Sequence, residues 1–239
     1  MSDQALLACR NLSGGYAGRR VLHSLDLTVR EGQCVVVIGP NGHGKTTLLR
    51  AISGLLPDIG GEISLAGANL RAKSADAIVA AGIVHIPQGD LLFPDMTVIE
   101  NLLMGAYLTR DRQEINRRLD DVFVLLPKLQ ERQKQLASTL SGGERRMVGI
   151  GRGLMSGGRI LLIDEPSLGL APIVIEQIYK LLDQLRRSGR SILLVEETAS
   201  RALPLADEIY LLDGGRFAWH GNPAELASRS ELINTYLGA

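Results

Sequence analysis

A glycine-rich loop at residues 39–46 constrains this chain more than any other feature of its sequence. The loop reads Gly39-Pro40-Asn41-Gly42-His43-Gly44-Lys45-Thr46. It fits the pattern Gly-x4-Gly-Lys-Ser/Thr, in which backbone N–H groups cradle phosphates. A β-branched apolar run at 34–38 precedes the loop, and a helical pattern begins at Thr47. The sequence therefore predicts a loop that joins a buried parallel strand to a helix N-terminus.

Each residue type in this loop has a physical role. The glycines let successive N–H groups point inward, and the helix N-terminus adds partial positive charge. We expect Lys45 to reach the β- and γ-phosphates of a nucleotide and the Thr46 hydroxyl to bind Mg²⁺, with Thr47 also at the site. The His43 ring is expected to point to solvent while its N–H faces the phosphates; the alternative is a direct contact between ring and phosphate.

The amino-acid composition limits which class of protein this chain can be and which partners it can bind. The 26 basic residues balance 26 acidic ones, so charge gives no support for a nucleic-acid surface, and no nucleic acid is expected as a partner. The length of 239 residues suits one large domain or a domain with an insert. No apolar run approaches the roughly 20 residues that span a bilayer, and no signal peptide is recognised, so we expect a protein that is soluble by itself. Cys9 and Cys34 lie in apolar runs and are expected to be buried thiols.

Alternating strand and helix patterns predict an α/β fold whose ligand lies at the carboxyl ends of a parallel sheet. Near the N-terminus, the strand-like runs 5–9, 25–29 and 63–67, with a glycine turn at 14–16, predict a small antiparallel β subdomain beside the loop. A hairpin turn is expected at 213–215.

The middle of the chain has a different pattern. Residues 97–135 are helical in periodicity, with a capping box at Thr97 and Glu100 and a break at Pro127. We therefore expect a single domain over 1–239, in which an α-helical subdomain at 88–158 is inserted into a core formed by 1–87 and 159–239.

A second glycine-rich motif and a pair of acidic residues complete the candidate chemistry. The motif reads Leu140-Ser141-Gly142-Gly143-Glu144 and opens a helical pattern, which exposes N–H groups suited to an anion. An apolar strand at 160–163 leads into Asp164 and Glu165. Asp164 is expected to hold Mg²⁺ together with Thr46 or through water. Glu165 is placed to activate the attacking water as a general base.

These features occur in the order and approximate spacing of an ABC transporter ATPase subunit, a P-loop NTPase, and the whole chain resembles that family. The resemblance implies ATP and Mg²⁺ as cofactors, with Tyr16 stacked on the adenine ring. It implies that Gln88 links Mg²⁺ to the helical subdomain. It also implies that Ser141 and Gly143 bind the γ-phosphate of ATP held by a second subunit, so that two chains meet head to tail.

A narrower resemblance is to the ATPase of branched-chain amino acid importers, the LivF type. It rests on Pro87-Gln88-Gly89, the segments 92–94 and 100–107, and Ser167-Leu168-Gly169-Leu170-Ala171-Pro172. Most ABC ATPases carry Asp where this chain has Ala171, whereas the branched-chain group and its urea and amide relatives share the Ala form. The implied function is to power such an importer. The alternatives are a lipid or lipopolysaccharide exporter and a soluble non-transport ABC ATPase.

The family resemblance also implies partners and a location. The partners are a second ATPase subunit, identical or different, integral membrane permease subunits and, indirectly, a substrate-binding protein. The expected location is the cytoplasmic face of the membrane, as a peripheral protein. The apolar loop Leu91-Leu92-Phe93 is expected to form the floor of a groove for a permease helix, to pack locally under the helical subdomain, or both.

Glu197 departs from the family pattern. The family usually has His at this position, in contact with the γ-phosphate, and the branched-chain group often has Gln. A carboxylate about 4 Å from a phosphate charge costs roughly 4 kcal/mol at an effective dielectric near 20. We therefore expect Glu197 to be protonated, turned away, or a weakness of its own site. The hypothesis is slow hydrolysis here with a stronger site on a different ATPase; the alternative is a tolerated substitution with a slightly moved loop.

Overall fold

The computed structural model describes residues 5–89, 91–229 and 232 of the chain. Within them lie a four-stranded sheet, a six-stranded sheet and nine α-helices. This mixed α/β architecture, with one antiparallel and one largely parallel sheet, confirms the predicted fold class.

The smaller sheet is antiparallel and has the order β2-β1-β4-β5. Its strands are β1 (Ala5–Tyr16), β2 (Arg19–Arg30), β4 (Asp58–Leu65) and β5 (Ala68–Asn69). The predicted turn at 14–16 is wrong, because these residues belong to β1 and pair with β2. The chain reverses at Ala17 and Gly18, where φ is 48° and 78°. Gly15 instead allows β2 to approach β1 closely, because a Cβ at this position would collide with the Arg19 backbone.

The larger sheet has the order β10-β9-β3-β8-β7-β6 and is parallel except for the β9–β10 hairpin. Its strands are β3 (Cys34–Ile38), β6 (Ile83–Ile86), β7 (Ile160–Asp164), β8 (Ser191–Glu196), β9 (Glu208–Asp213) and β10 (Arg216–Gly221). The expected hairpin turn at 213–215 is present. The carboxyl ends of β3, β6, β7 and β8 meet at one edge of the sheet, which is where the site lies.

Helices cover both faces of the larger sheet. They are α1 (Lys45–Ile52), α2 (Ala75–Ala81), α3 (Val98–Met104), α4 (Arg112–Leu125), α5 (Pro127–Glu131), α6 (Gly142–Met155), α7 (Pro172–Arg187), α8 (Ala199–Ala202) and α9 (Pro223–Ala227). The capping box of Thr97 and Glu100 is present, and Pro127 separates α4 from α5 as predicted. Helices α3 to α6 fall inside 88–158; their standing as a subdomain remains a prediction.

Alternation along the central strand divides the apolar residues between two clusters. Val36 and Ile38 belong to the cluster that includes residues of α3, α4, α6 and α7, whereas Val35 and Val37 belong to the cluster that includes residues of α1 and the antiparallel sheet. All five residues of β3 are fully buried, which fixes the end of this strand and so the start of the phosphate loop. Cys9 and Cys34 are buried free thiols, as expected, and burial raises the pKa of each to about 12.

Candidate nucleotide-binding site

The loop at 39–46 joins the buried end of β3 directly to the start of α1. Gly44 is the N-cap residue of α1 with φ 109°, and Gly42 has φ 82°. An L-amino acid with a side chain rarely adopts these angles, so glycine is required at both positions. The loop therefore presents the first backbone N–H groups of α1 to whatever occupies the adjoining cavity.

Lys45 is buried at the centre of the loop. Its Nζ donates hydrogen bonds to the backbone oxygens of Gly39, at 2.7 Å, and Pro40, at 3.1 Å. It also lies 3.1 Å from Glu165 Oε1, whose side chain is equally buried. A buried ammonium needs paired charge, and here Glu165 supplies it. A phosphate anion entering this space would compete with Glu165 for Lys45.

Asp164 ends β7 facing the first turn of α1. The Thr46 hydroxyl donates a hydrogen bond to its Oδ1 at 3.2 Å, and its Oδ2 is buried without a partner among the described residues. Burial raises the pKa of Asp164, while the Thr46 hydrogen bond opposes the shift. A buried carboxylate oxygen beside a hydroxyl is an oxygen donor set that Mg²⁺ prefers, so these residues fit the expected metal.

Glu165 follows directly in an unusual backbone conformation. Its φ is 39°, which a non-glycine residue rarely adopts and which the surroundings must hold in place. Its N–H donates to the Val195 carbonyl at 3.0 Å. The backbone at the end of β7 is thus tied to β8, and the Glu165 carboxylate is directed towards Lys45.

A cavity of about 300 Å³ brings together eight of the predicted site residues. Its lining comprises Asn41, Gly42, Gly44, Lys45, Thr46, Thr47, Gln88, Glu165 and Leu168. The loop, the candidate base and Gln88 come from three separate segments, and the structure places them around one cavity. Leu168, which sequence reasoning did not assign to the site, closes one side.

Several predicted residues lie outside this lining, among them Tyr16 and His43. Tyr16 stands at the end of β1, is 37% exposed, and its hydroxyl accepts a hydrogen bond from Arg50 Nη1 at 3.3 Å. The expectation that the His43 ring points freely to solvent is wrong. Its Nδ1 lies 2.8 Å from Asp213 Oδ1, and the backbone N–H of Gly214 is 3.1 Å from the same nitrogen. The β9–β10 turn reaches the loop and holds this ring.

Glu197 follows β8 and lies beside the phosphate loop. The Asn41 side-chain amide donates a hydrogen bond to Glu197 Oε2 at 2.9 Å, and both residues are exposed. The carboxylate therefore has a neutral partner on the loop itself. Among the described residues it is not part of the cavity lining, and its role stays a prediction.

The second glycine motif lies away from this cavity, at the start of α6. Gly142 and Gly143 lie in its first turn, because the helix begins at Gly142. Ser141 is the N-cap, and Glu144 accepts hydrogen bonds from the Ser141 N–H at 2.9 Å and hydroxyl at 2.8 Å. Glu144 is also 3.0 Å from Arg132 Nε. Residues 140–144 are absent from the lining of the cavity around Lys45.

Sequence reasoning missed Arg146, which is buried in the second turn of α6. Its guanidinium reaches the ends of both β6 and β7. Its helical spacing could have predicted the burial. Arg146 lies three residues before Gly149 and four before Ile150, and both of these are on the buried face of the helix.

Known proteins resemble this chain over nearly its whole length. The family model for the ABC transporter matches residues 22–168, more than half of the chain. The high-affinity branched-chain amino acid transport ATP-binding protein BraG of Pseudomonas aeruginosa is 41% identical, covering 98% of this chain and 100% of that protein. The lipopolysaccharide export system ATP-binding protein LptB of Escherichia coli strain K12 is 32% identical, covering 98% of each.

Solved structures agree with the sequence relatives. An ATP-binding cassette of an ABC transporter in its ADP conformation has a TM-score of 0.86 and 26% identity, covering 98% of this chain and 99% of that one. The fold and the loop between β3 and α1 define a P-loop nucleotide-binding ATPase. The chain belongs to the ABC transporter family. Among the described residues, none of the helices has the length and apolarity needed to cross a bilayer.

Proposed function

We propose that this chain binds Mg²⁺–ATP on the loop 39–46 and hydrolyses it to power a membrane transporter. The observation that carries the proposal is the buried group of Lys45, Asp164 and Glu165 at one edge of the parallel sheet. Lys45 and the loop N–H groups bind phosphate, and Thr46 and Asp164, with Gln88, would hold Mg²⁺, which neutralises phosphate charge when bound. Glu165 accepts a proton from the attacking water.

We propose that the active form is a head-to-tail pair of ATPase subunits. The cavity around Lys45 and the helix start at Ser141 are separate sites on this chain, and each presents N–H groups suited to phosphate. Residues 140–144 would then complete the site on the partner's loop. The capping box between Ser141 and Glu144 supports this, because it fixes the first turn in which the N–H groups of Gly142 and Gly143 lie.

The permease subunits dock, we propose, in a groove beside Leu91 and Phe93. The groove has a volume of about 500 Å³ and runs between this loop, the end of α3 and the Gly149–Gly153 side of α6. Leu91 is 64% and Phe93 43% exposed, whereas Leu92 packs against the core. Residues 88–158 would act as a helical subdomain that carries this groove, at the cytoplasmic face of the membrane.

The cargo of the transporter is proposed to be a branched-chain amino acid or a related amide or urea. BraG is the more similar of the two relatives described above, at 41% against 32% for LptB. The Ser167–Pro172 sequence form supports the same group. A lipopolysaccharide or lipid exporter is the second candidate, because LptB also matches over 98% of its length.

Reconstitution tests the proposed cargo. The chain, its permease subunits and the cognate binding protein are placed in proteoliposomes, and ATP turnover is measured with leucine, isoleucine, valine, urea or lipopolysaccharide. We expect a branched-chain amino acid to stimulate turnover and to accumulate in the vesicles. If only lipopolysaccharide stimulates turnover, the exporter is the correct assignment and the importer is excluded. If no amino acid or amide changes turnover, the proposed cargo is wrong, but the ATPase activity is not contradicted.

A further inference from the structure

The buried guanidinium of Arg146 joins three parts of the molecule. Arg146 is 3% exposed and belongs to α6, whose N-terminus is the glycine motif at 140–144. Its Nη2 donates a hydrogen bond to the Asp164 carbonyl oxygen at 2.8 Å. Its Nη1 donates to the Pro87 carbonyl at 2.7 Å and also to the Gly89 carbonyl. One side chain thus bridges α6, the end of β7 and the segment after β6.

The acceptors of Arg146 are the backbone groups that orient two candidate site residues. Pro87 and Gly89 flank Gln88, which lines the cavity beside Lys45. The Asp164 carbonyl belongs to the peptide group that links Asp164 to Glu165. The N–H of the same peptide donates to Val195 O at 3.0 Å, so this peptide is held from α6 on one side and from β8 on the other.

The backbone of Glu165 makes such a double restraint significant. A φ of 39° at a residue with a side chain persists only where the surroundings over-determine it. Arg146 fixes the carbonyl that precedes Glu165, and its planar guanidinium can bind several carbonyl oxygens in defined directions, which a lysine ammonium cannot reproduce.

We infer that Arg146 is a positioning residue that couples the helix start at Ser141 to the Glu165 carboxylate and Gln88 of the same chain. The inference rests on the proposed function. Because residues 140–144 would contact ATP on the partner subunit, a movement of α6 on that contact reaches the hydrolytic residues of this chain through Arg146. Each subunit would hydrolyse its own ATP fastest when the partner's site is also filled.

Arg146→Gln tests this inference, with Arg118→Gln as the matched control. Arg118 also donates to backbone carbonyls at α6, but at the opposite end of the helix: those of Met155 at 3.0 Å and of the C-cap residue Ser156 at 2.8 Å. Both variants lose a guanidinium bound to backbone oxygens, so both should lose thermal stability. Only Arg146→Gln releases the peptides beside Glu165 and Gln88.

The expected result is a split between binding and turnover. For Arg146→Gln, kcat should fall about 100-fold, as for a misplaced catalytic group, while the Kd for ATP changes less than about threefold. Cooperativity in ATP should weaken towards a Hill coefficient of about one. Independently of activity, hydrogen exchange should accelerate in peptides spanning 87–89 and 164–165. Arg118→Gln should keep turnover, cooperativity and exchange at these segments near wild type.

The outcomes separate this inference from the proposed function. If the wild type hydrolyses ATP and the two variants have equal kcat and equal hydrogen exchange, the role of Arg146 is overturned. The proposed function is untouched by that result. A parallel loss of ATP affinity and turnover in Arg146→Gln also overturns it, because that result indicates general damage to the site. Absence of wild-type ATP turnover overturns the proposed function. If Arg146→Gln does not fold, Arg146→Lys retains the charge and should show the same loss of kcat.

Discussion

Lys45 Nζ lies 3.1 Å from Glu165 Oε1, and both side chains are almost completely buried. The pair brings the cation of the phosphate loop and the carboxylate that follows β7 into one low-dielectric site. Removing one partner of such a pair leaves an uncompensated buried charge, which is why the pairing must be replaced and not simply broken when nucleotide enters. In the proposed mechanism, the γ-phosphate takes over Lys45 and frees Glu165 to accept a proton from water.

Because the pKa of Asp164 is raised, we predict that its carboxyl group makes the free energy of unfolding depend on pH. The Asp164→Asn variant should lack this contribution. Burial lets the folded chain keep this proton to higher pH than the unfolded chain does. Folded stability therefore falls as pH rises from about 4 through the raised pKa, and Asp164→Asn should escape that loss. Thermal unfolding without nucleotide should show the melting temperature of the variant rising relative to wild type over this range.

Mg²⁺–ATP provides the control for this experiment. It should raise the melting temperature of the wild type more than that of Asp164→Asn, which lacks the carboxylate for Mg²⁺. A melting-temperature difference that stays constant with pH would contradict the assigned origin of the shift.

Tyr16 is predicted to contribute to ATP affinity through its ring and not its hydroxyl. Tyr16→Ala should weaken ATP binding by about 30-fold, the middle of the range for base stacking on an aromatic side chain, as measured with a fluorescent nucleotide. Tyr16→Phe should bind like wild type despite losing the contact with Arg50. Tyr107→Ala removes another exposed tyrosine and serves as the control. Equal affinities for Tyr16→Ala and this control would count against stacking.

The backbone and most of the cavity could be predicted from the sequence because their signals are local. A β-branched run before a glycine loop predicts β3. Gly44 and Lys45 then fit one arrangement, in which the loop leads from this strand into a helix. The turn near Tyr16 was misplaced because Gly14 and Gly15 are needed for close approach to neighbouring strands, a long-range contact that resembles a turn signal in sequence. The pairing of His43 with Asp213 joins residues 170 positions apart, which no local pattern reveals.

Phe93 is predicted to be essential for permease assembly but not for ATP binding. Phe93→Asp places a charge in the apolar groove, so the chain should bind ATP normally yet fail to co-purify with its permease subunits. Val124→Asp is the control, because Val124 is 82% exposed on α4 and outside the groove lining. Normal co-purification of Phe93→Asp would exclude the groove as the docking site.

Glu197 is predicted to slow hydrolysis at the site of its own chain. Glu197→Gln and Glu197→His each remove a negative charge beside the loop, where Asn41 now holds it. In the reconstituted subunit pair, turnover should rise about fivefold, the scale of an exposed charge interaction of up to 1 kcal/mol. Glu62→Gln, an exposed carboxylate on β4, should change nothing. An unchanged rate in both Glu197 variants would support the tolerated substitution instead.

The most direct test of this account is the ATP turnover of Glu165→Gln, measured together with ATP binding on the same preparation. Gln retains the size of the side chain but cannot accept the proton of the attacking water. Turnover should fall at least about 100-fold, the lower end of what a general base contributes, while ATP still binds. Turnover within threefold of wild type would contradict the assignment of Glu165 as the base and with it the proposed hydrolytic site.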